Sequence, residues 1–254
     1  MPSSAARLAR PDRARHIGAM CARGAQHSDP EKIAKRFGVT PPLPNLQPRY
    51  NVAPTQEIGV VRLHPKDKRR TLDPLKWGLV PHWAKGEKPA FNTINAKAET
   101  ITTAPAFRGA WEAGRRCLVP FDLYYEWQKQ PDGAKQPYAI GLKDRAPLGL
   151  AGLWESKRLA GDAVLRSFTI ITTAPNALMA ELHDRMPAII APDDYATWLG
   201  ETDPDPNAAR ALLRPYPADE MAAWPIDPRV GNWRNDDPAL ILPLAAAGSI
   251  ARPY

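Results

Sequence analysis

Twenty-nine prolines spread along 254 residues limit this chain more than any other feature of its sequence. Each removes a backbone N–H donor and disfavours helix at the residue before it, so long helices are excluded almost everywhere. Short helices remain possible. The clearest runs from Pro30 to Phe37, with Ser28 or Asp29 as cap, Pro30 in the first turn and Gly38 as the stop. Similar short helices are expected at Ala106 to Ala113, Asn176 to Leu182, Pro192 to Leu199 and Asn207 to Leu213.

Between them lie β-like runs at Ile58 to Leu63, Arg116 to Val119, Leu123 to Gln128, Tyr138 to Leu142, Leu148 to Trp154, Phe168 to Thr172 and Ala188 to Ile190. Those in the middle follow one another without helices of crossover length. This predicts a mainly antiparallel sheet with short flanking helices, class α+β, in one domain. Asp132-Gly133 reads as a hairpin turn, and Gly200 to Asn207 as a polar loop.

With 44% hydrophobic and 24% charged residues the chain reads as a soluble globule. Its longest apolar runs fall far short of a membrane span, so no membrane partner is expected and the cytoplasm is the expected compartment. Cys21 and Cys117 are too few for a disulfide framework, and no clustered Cys/His spacing suggests a metal. Neither metal nor cofactor is expected.

Residues 1–19 differ in composition from the remainder of the chain: Arg7, Arg10, Arg13 and Arg15 face a single acid, Asp12, and no apolar run makes a secretory signal. The segment reads as a leader set apart from a domain spanning 20–254, either upstream sequence from an early start, a disordered tail or a transit peptide. The formal charge is +7, of which about +4 belongs to the body once the leader is set aside. A mildly basic body is compatible with a polyanionic partner and does not establish one.

Met20 stands directly before Cys21. If that methionine initiates and is removed, Cys21 carries both a free α-amine and a thiol, and such a 1,2-aminothiol captures an aldehyde as a five-membered thiazolidine. No internal cysteine can do this.

Further blocks place polar groups where strand or turn chemistry does not ask for them: Arg49-Tyr50-Asn51-Val52-Ala53-Pro54-Thr55, Asn92 to Glu99, Tyr124-Tyr125-Glu126-Trp127, and Leu182-His183-Asp184-Arg185-Met186-Pro187. With Cys21-Ala22-Arg23 and Trp77-Gly78-Leu79-Val80-Pro81, their order and spacing from Cys21 to about Pro243 resemble the SRAP family, the SOS response-associated peptidases or abasic-site processing proteins. The resemblance implies a single compact domain with a β-barrel-like sheet, and a monomer is expected. Such a protein grips single-stranded DNA and crosslinks an N-terminal cysteine to an abasic site.

The chemistry can be rebuilt from the residues. An abasic deoxyribose opens to an aldehyde, which only a neutral amine attacks. An α-amine of pKa near 7.7 to 8.0 is roughly a quarter neutral near pH 7.4, against on the order of 0.1% for a lysine of pKa about 10.4. By the resemblance Glu126 manages the amine's proton, Asn95 positions the terminus or the sugar, and His183 donates to the deoxyribose ring oxygen. Arg23, Lys97, Arg108 and Arg185 then meet phosphates, with Pro54 and Trp83 as apolar platforms. Trp77 and Trp127 read as core, and His27, His64 and His82 have no assigned role.

Three departures from the family pattern stand out. Gly24 replaces an aromatic, Leu123 replaces the glycine of an expected tight turn, and Lys97 replaces an arginine, a point charge where a bidentate fork is usual. A leader left in place would also block the amine of Cys21. A cysteine-type peptidase that cleaves before Cys21, with His183 or Glu126 as base, is the alternative reading. A non-catalytic single-strand binding module is another.

Overall fold

The computed structural model describes residues 22–201 and 205–244. Their strands, in chain order, are β1 (Gly24–Gln26), β2 (Arg49–Val52), β3 (Glu57–Leu63), β4 (Arg70–Trp77), β5 (Asn95–Lys97), β6 (Arg116–Phe121), β7 (Leu123–Lys129), β8 (Lys135–Leu142), β9 (Leu148–Arg158), β10 (Val164–Thr173), β11 (Met186–Pro187) and β12 (Met221–Pro225). The helices are α1 (Pro30–Phe37), α2 (Arg108–Glu112), α3 (Ala177–Ala180), α4 (Tyr195–Leu199) and α5 (Pro206–Ala211). None is long and apolar enough to cross a membrane.

Strands β10, β4, β3, β6 and β9 are hydrogen-bonded neighbours in that order, and β9 pairs back with β10 to close a five-stranded barrel. β4 and β5 run parallel to β10, and the other pairings are antiparallel. A second sheet has the order β12-β8-β7-β1-β2. Only Asp122 separates β6 in the barrel from β7 in this sheet. Its carboxylate accepts the backbone N–H groups of His27 (2.6 Å) and Ser28 (2.8 Å), which fixes β1 beside the crossing point.

Three apolar clusters follow from strand alternation, which sends successive side chains to opposite faces. The interior cluster takes Val60, Trp77, Cys117, Phe121, Leu150 and Phe168 from the barrel and Tyr124 and Ile140 from the second sheet, so the two sheets share it. Trp77 stacks on Phe168 with ring centroids 6.2 Å apart and meets Phe121 edge-on at 5.7 Å. Each such buried side chain stabilises by about 1.5 to 3 kcal/mol. A second cluster lies outside the barrel under α1, α2, α4 and α5, and a third backs β7 and β8.

The local signals for α1 hold, because they are satisfied within a few residues. Asp29 rather than Ser28 caps it, accepting from the Lys32 N–H, and Gly38 closes it at φ 65°. The hairpin holds too: Gly133 (φ 87°) lies in a five-residue turn between Lys129 and Lys135. The helix expected at Ala106 to Ala113 shrinks to Arg108–Glu112, which has no side-chain cap. The strand expected at Ala188 to Ile190 is displaced. The regular pairing falls on Met186–Pro187, and Ala188 to Ile190 follow as extended chain with single bonds such as Ala188 N–H to Ile171 O, 2.9 Å.

Strands β1, β2, β4, β5 and β12 had no clear sequence signal. β4 carries Pro74 in its interior, which a central strand disfavours. It is tolerated because β10 joins β4 only at Lys76 and Trp77, leaving no partner on that side for Pro74 to fail.

Candidate nucleic-acid site at the shared rim of the two sheets

Cys21, like the whole leader, lies outside the described residues. The chain emerging from it is placed closely. Gly24 pairs with Tyr124 and Ala25 with Leu123, and the Tyr125 N–H donates to the Arg23 carbonyl (3.0 Å). Continuing that register sets Ala22 opposite Glu126. Ala22 packs on the interior cluster, as does Tyr138, the cross-strand partner of Glu126.

Glu126 is 4% exposed. Alternation along β7 explains why: Tyr124 belongs to the interior cluster and Tyr125 to the cluster behind the sheet, so Glu126 returns to the interior side. Trp127 packs behind the sheet with Tyr125, half-buried, while Trp77 is fully buried and donates its Nε1–H to Ile94 O at 3.0 Å.

Asn95 opens β5 directly after Ile94, another interior residue, and pairs with Ile170. Its Nδ2 is buried with no hydrogen-bond partner among the described residues. Such a donor, left over by the fold, is open to a partner from outside it.

His183 lies in the turn after α3; Met179 of α3 belongs to the interior cluster, and Leu182 in the same turn packs against it. Asn176 caps α3 by accepting from the Met179 N–H (2.9 Å), and the His183 N–H donates to Met179 O (2.7 Å). Its Nδ1 is 2.8 Å from Asp184 Oδ1 and 3.2 Å from the Arg185 N–H. The first contact needs a hydrogen on Nδ1 and the second needs Nδ1 as an acceptor, so only one of the two is a hydrogen bond at a time. Both contacts leave Nε2 to face elsewhere. The Gln128 Nε2–H group reaches Glu181 O at 3.1 Å and ties the Glu126 strand to this turn.

The six cationic and apolar candidates separate sharply. Lys97 is exposed at the end of β5, across from Thr172, and Trp83 is 61% exposed. Pro54 is half-buried in the turn after β2, beside Thr55, which takes φ 74°. Arg108 is exposed at the head of α2, in the helical layer outside the barrel. The two remaining arginines do not stand as free surface cations. Arg185 forks onto Glu99 at 2.8 Å through both Nη1 and Nη2, and Nη2 also donates to Thr172 O (2.7 Å).

Arg23 is 7% exposed. It donates to Asn51 Oδ1 (3.1 Å), Val230 O (2.5 Å) and Gly231 O (3.2 Å), and burial lowers its pKa to about 10, with Tyr125 opposing the shift. It is still a cation near neutral pH. Its phosphate-contact reading is therefore replaced by a structural one: it clasps the start of β1 to residues 230–231.

Sequence reasoning missed the centre of that clasp. Asn51 is fully buried, and its Nδ2 donates to Val230 O (3.1 Å), Asn232 O (3.1 Å) and Asn235 O (2.7 Å). Asp236 accepts the N–H groups of Tyr50 (2.5 Å) and Asn51 (3.0 Å) and pairs with Arg49. The only signal was the polar block from Arg49 to Thr55.

Two of the departures find physical reasons. A Cβ on Gly24 would lie 2.6 Å from the Phe121 ring and 2.8 Å from the Leu123 carbonyl oxygen, so this packing leaves no room for a larger residue at position 24. Leu123 needs no left-handed backbone. Among the described residues the positive-φ positions other than glycine are Thr55, Lys68 and Arg145, and Leu123 instead packs over Gly141, where a Cβ would lie 2.7 Å from it.

Among the described residues no group of three or more His, Cys, Asp or Glu side chains is placed to hold a metal ion.

Comparison with known proteins converges on one family. The family model for SOS response associated peptidase (SRAP) matches residues 20–233. Abasic site processing protein YoqW of Bacillus subtilis is 38% identical over 224 residues, covering 87% of this chain and 99% of its own. Abasic site processing protein YoaM of the same organism is 39% identical over 224 residues, covering 87% and 97%. A crystal structure of a protein from Bacteroides thetaiotaomicron superimposes with a TM-score of 0.77 at 25% identity, covering 88% of this chain and all of that one.

Proposed function

The chain belongs to the SRAP family, and from that premise we propose that it processes abasic sites in DNA, binding single strands and forming a covalent thiazolidine between Cys21, as N-terminal residue, and the ring-opened sugar. The observation that carries this reading is the register that sets Ala22, the residue after Cys21 in the chain, opposite the buried Glu126 carboxylate.

In the proposed sequence the Nε2–H of His183 passes its proton to the deoxyribose ring oxygen as the bond from that oxygen to C1 breaks, while the C1 hydroxyl gives up its proton to solvent and becomes the aldehyde. The Glu126 carboxylate takes a proton from the ammonium of Cys21, and the neutral amine adds to the aldehyde carbon. Loss of the carbonyl oxygen as water leaves an imine. The thiol then adds across it: a C–S bond forms, and the S–H proton passes to nitrogen. Asn95 Nδ2, unsatisfied within the fold, donates to the sugar or the terminus. Lys97 and Arg108 meet phosphates, while Pro54 and Trp83 meet bases. Arg23 and Arg185 shape the site instead of touching the strand.

The test is protein beginning at Cys21, mixed with a single strand carrying one abasic site and run on a denaturing gel. A heat-stable adduct absent with intact DNA is expected. An equally stable adduct from Cys21→Ser would overturn the thiazolidine.

A second reading rests on the residues that precede Cys21 in this sequence, which must be absent for the amine to be free. In it the protein removes them itself: the Cys21 thiol, deprotonated by His183 or Glu126, attacks the preceding carbonyl carbon, the C–N bond breaks as the same base returns the proton to the Cys21 nitrogen, and water hydrolyses the resulting thioester to release the leader as a carboxylate. Intact-mass measurement of the native protein should find Cys21 first. Met1 or Pro2 in that position, with crosslinking retained, would rule out the amine mechanism and the self-cleavage together.

A further inference from the structure

Trp83 is more exposed than any other large apolar side chain among the described residues. Its surroundings, Pro81, Lys85, Gly86, Lys88 and Pro89, are those of a solvated loop, in which a bare indole ordinarily loses its orientation. Here the residues on both sides of it are fastened to one strand, β9. On one side His82 Nδ1 lies 3.2 Å from Glu155 Oε2, and on the other the Ala84 carbonyl accepts from Lys157 Nζ. Glu155 and Lys157 are two residues apart and so share a face of β9. Upstream, the Val80 N–H donates to Ser167 Oγ at 2.8 Å on the neighbouring β10.

Glu155 is 2% exposed. A carboxylate so buried is costly unless fully partnered, and its partners are His82, the Arg115 guanidinium and the Ser156 N–H at 2.8 Å. Arg115 also leans toward the face of Trp154, 5.9 Å from the ring centroid, so the carboxylate is braced from the barrel side as well.

We propose that Glu155 and Lys157 are a mount that holds Trp83 as a preformed stacking post for an unpaired nucleobase, with Glu155 a positioning residue acting through His82. This rests on the reading that the chain binds single-stranded DNA; the mount is what is added. An aromatic already fixed in place loses little freedom when a base stacks on it, so rigidity converts directly into affinity.

The experiment measures the affinity of the full 254-residue chain for an undamaged fluorescent oligothymidine by anisotropy at fixed salt. Trp83→Ala should weaken binding about 5- to 150-fold, the span of base stacking on an aromatic. Glu155→Gln should weaken it by part of that factor, although removing a negative charge near DNA acts in the opposite direction. Lys157→Met should also weaken it, and in a Trp83→Ala background both substitutions should lose their Trp83-dependent part, leaving only the effect of the altered charge, a gain for Glu155→Gln and a small loss for Lys157→Met.

His82→Ala breaks the same link from a solvent-exposed position, so it carries the test if Glu155→Gln fails to fold, and the same Trp83-dependent loss is expected. Gain or no change on Glu155→Gln, or an undiminished effect of the mount substitutions in the Trp83→Ala background, would overturn the proposal. The readout uses undamaged DNA and no free N-terminus. Absence of an abasic adduct would therefore sink the crosslinking reading while this test still stood.

Discussion

Arg23 and Arg185 are buried or nearly so and give their donors to Asn51, backbone carbonyls, Thr172 and Glu99, whereas Lys97 at the end of β5 and Arg108 in the helical layer outside the barrel stand exposed. In sequence the four look alike. The difference shows that a cation's use is decided by what the fold places around it. A guanidinium removed from water must be surrounded by acceptors, and it then fixes chain segments; an exposed ammonium keeps its field free for a phosphate.

If the buried groups set geometry and the exposed cations bind, substitutions should separate adduct formation, stability and salt dependence. The largest effect is expected for Glu126→Ala and His183→Ala, which should slow adduct formation 10²- to 10⁴-fold, the scale of positioned acid–base groups. Affinity for intact single strands should hardly change in either, and normal adduct rates with lost affinity would make the constellation a binding surface.

Next comes the clasp. Asn51→Ala leaves the buried Arg23 without its side-chain acceptor and should cost about 1.5 to 3 kcal/mol of stability, the scale of a hydrogen bond to a charged group, seen as a fall in Tm. An unchanged Tm would show that the clasp does not hold β1 in place.

Sharper still is the contrast between cations. Lys97→Ala should lower the slope of log affinity against log salt by about 0.7, the value for one single-strand phosphate contact, and leave Tm nearly unchanged. Arg185→Ala should do the reverse, because its fork already belongs to Glu99. Equal salt slopes for the two variants would erase the distinction between buried and exposed cations. The smallest effect is expected for Lys97→Arg, a gain in affinity of under about 1 kcal/mol, the scale of an exposed ion pair. A loss instead would mean that the rim is shaped for the ammonium.

The sequence by itself determined whatever is settled over a few residues. Proline density kept helices short, Asp29 and Gly38 bounded α1, and alternation through Tyr124, Tyr125 and Glu126 put the carboxylate on a defined face. The ordered polar blocks carried the family, because each is a contiguous run legible without coordinates. Tertiary structure decided what depends on distant segments meeting. Barrel closure needs β9 and β10 to pair while β10 also meets β4 from far upstream, and no local pattern encodes that. The burial of Arg23 requires residues 230–231, more than 200 positions away. Glu155 looks like an ordinary strand glutamate until His82 and Arg115 are brought against it. The physical reason is common to these cases: hydrogen bonds and caps within a turn are fixed by neighbours in the chain, whereas burial is a property of surfaces that exist only after the sheets have packed.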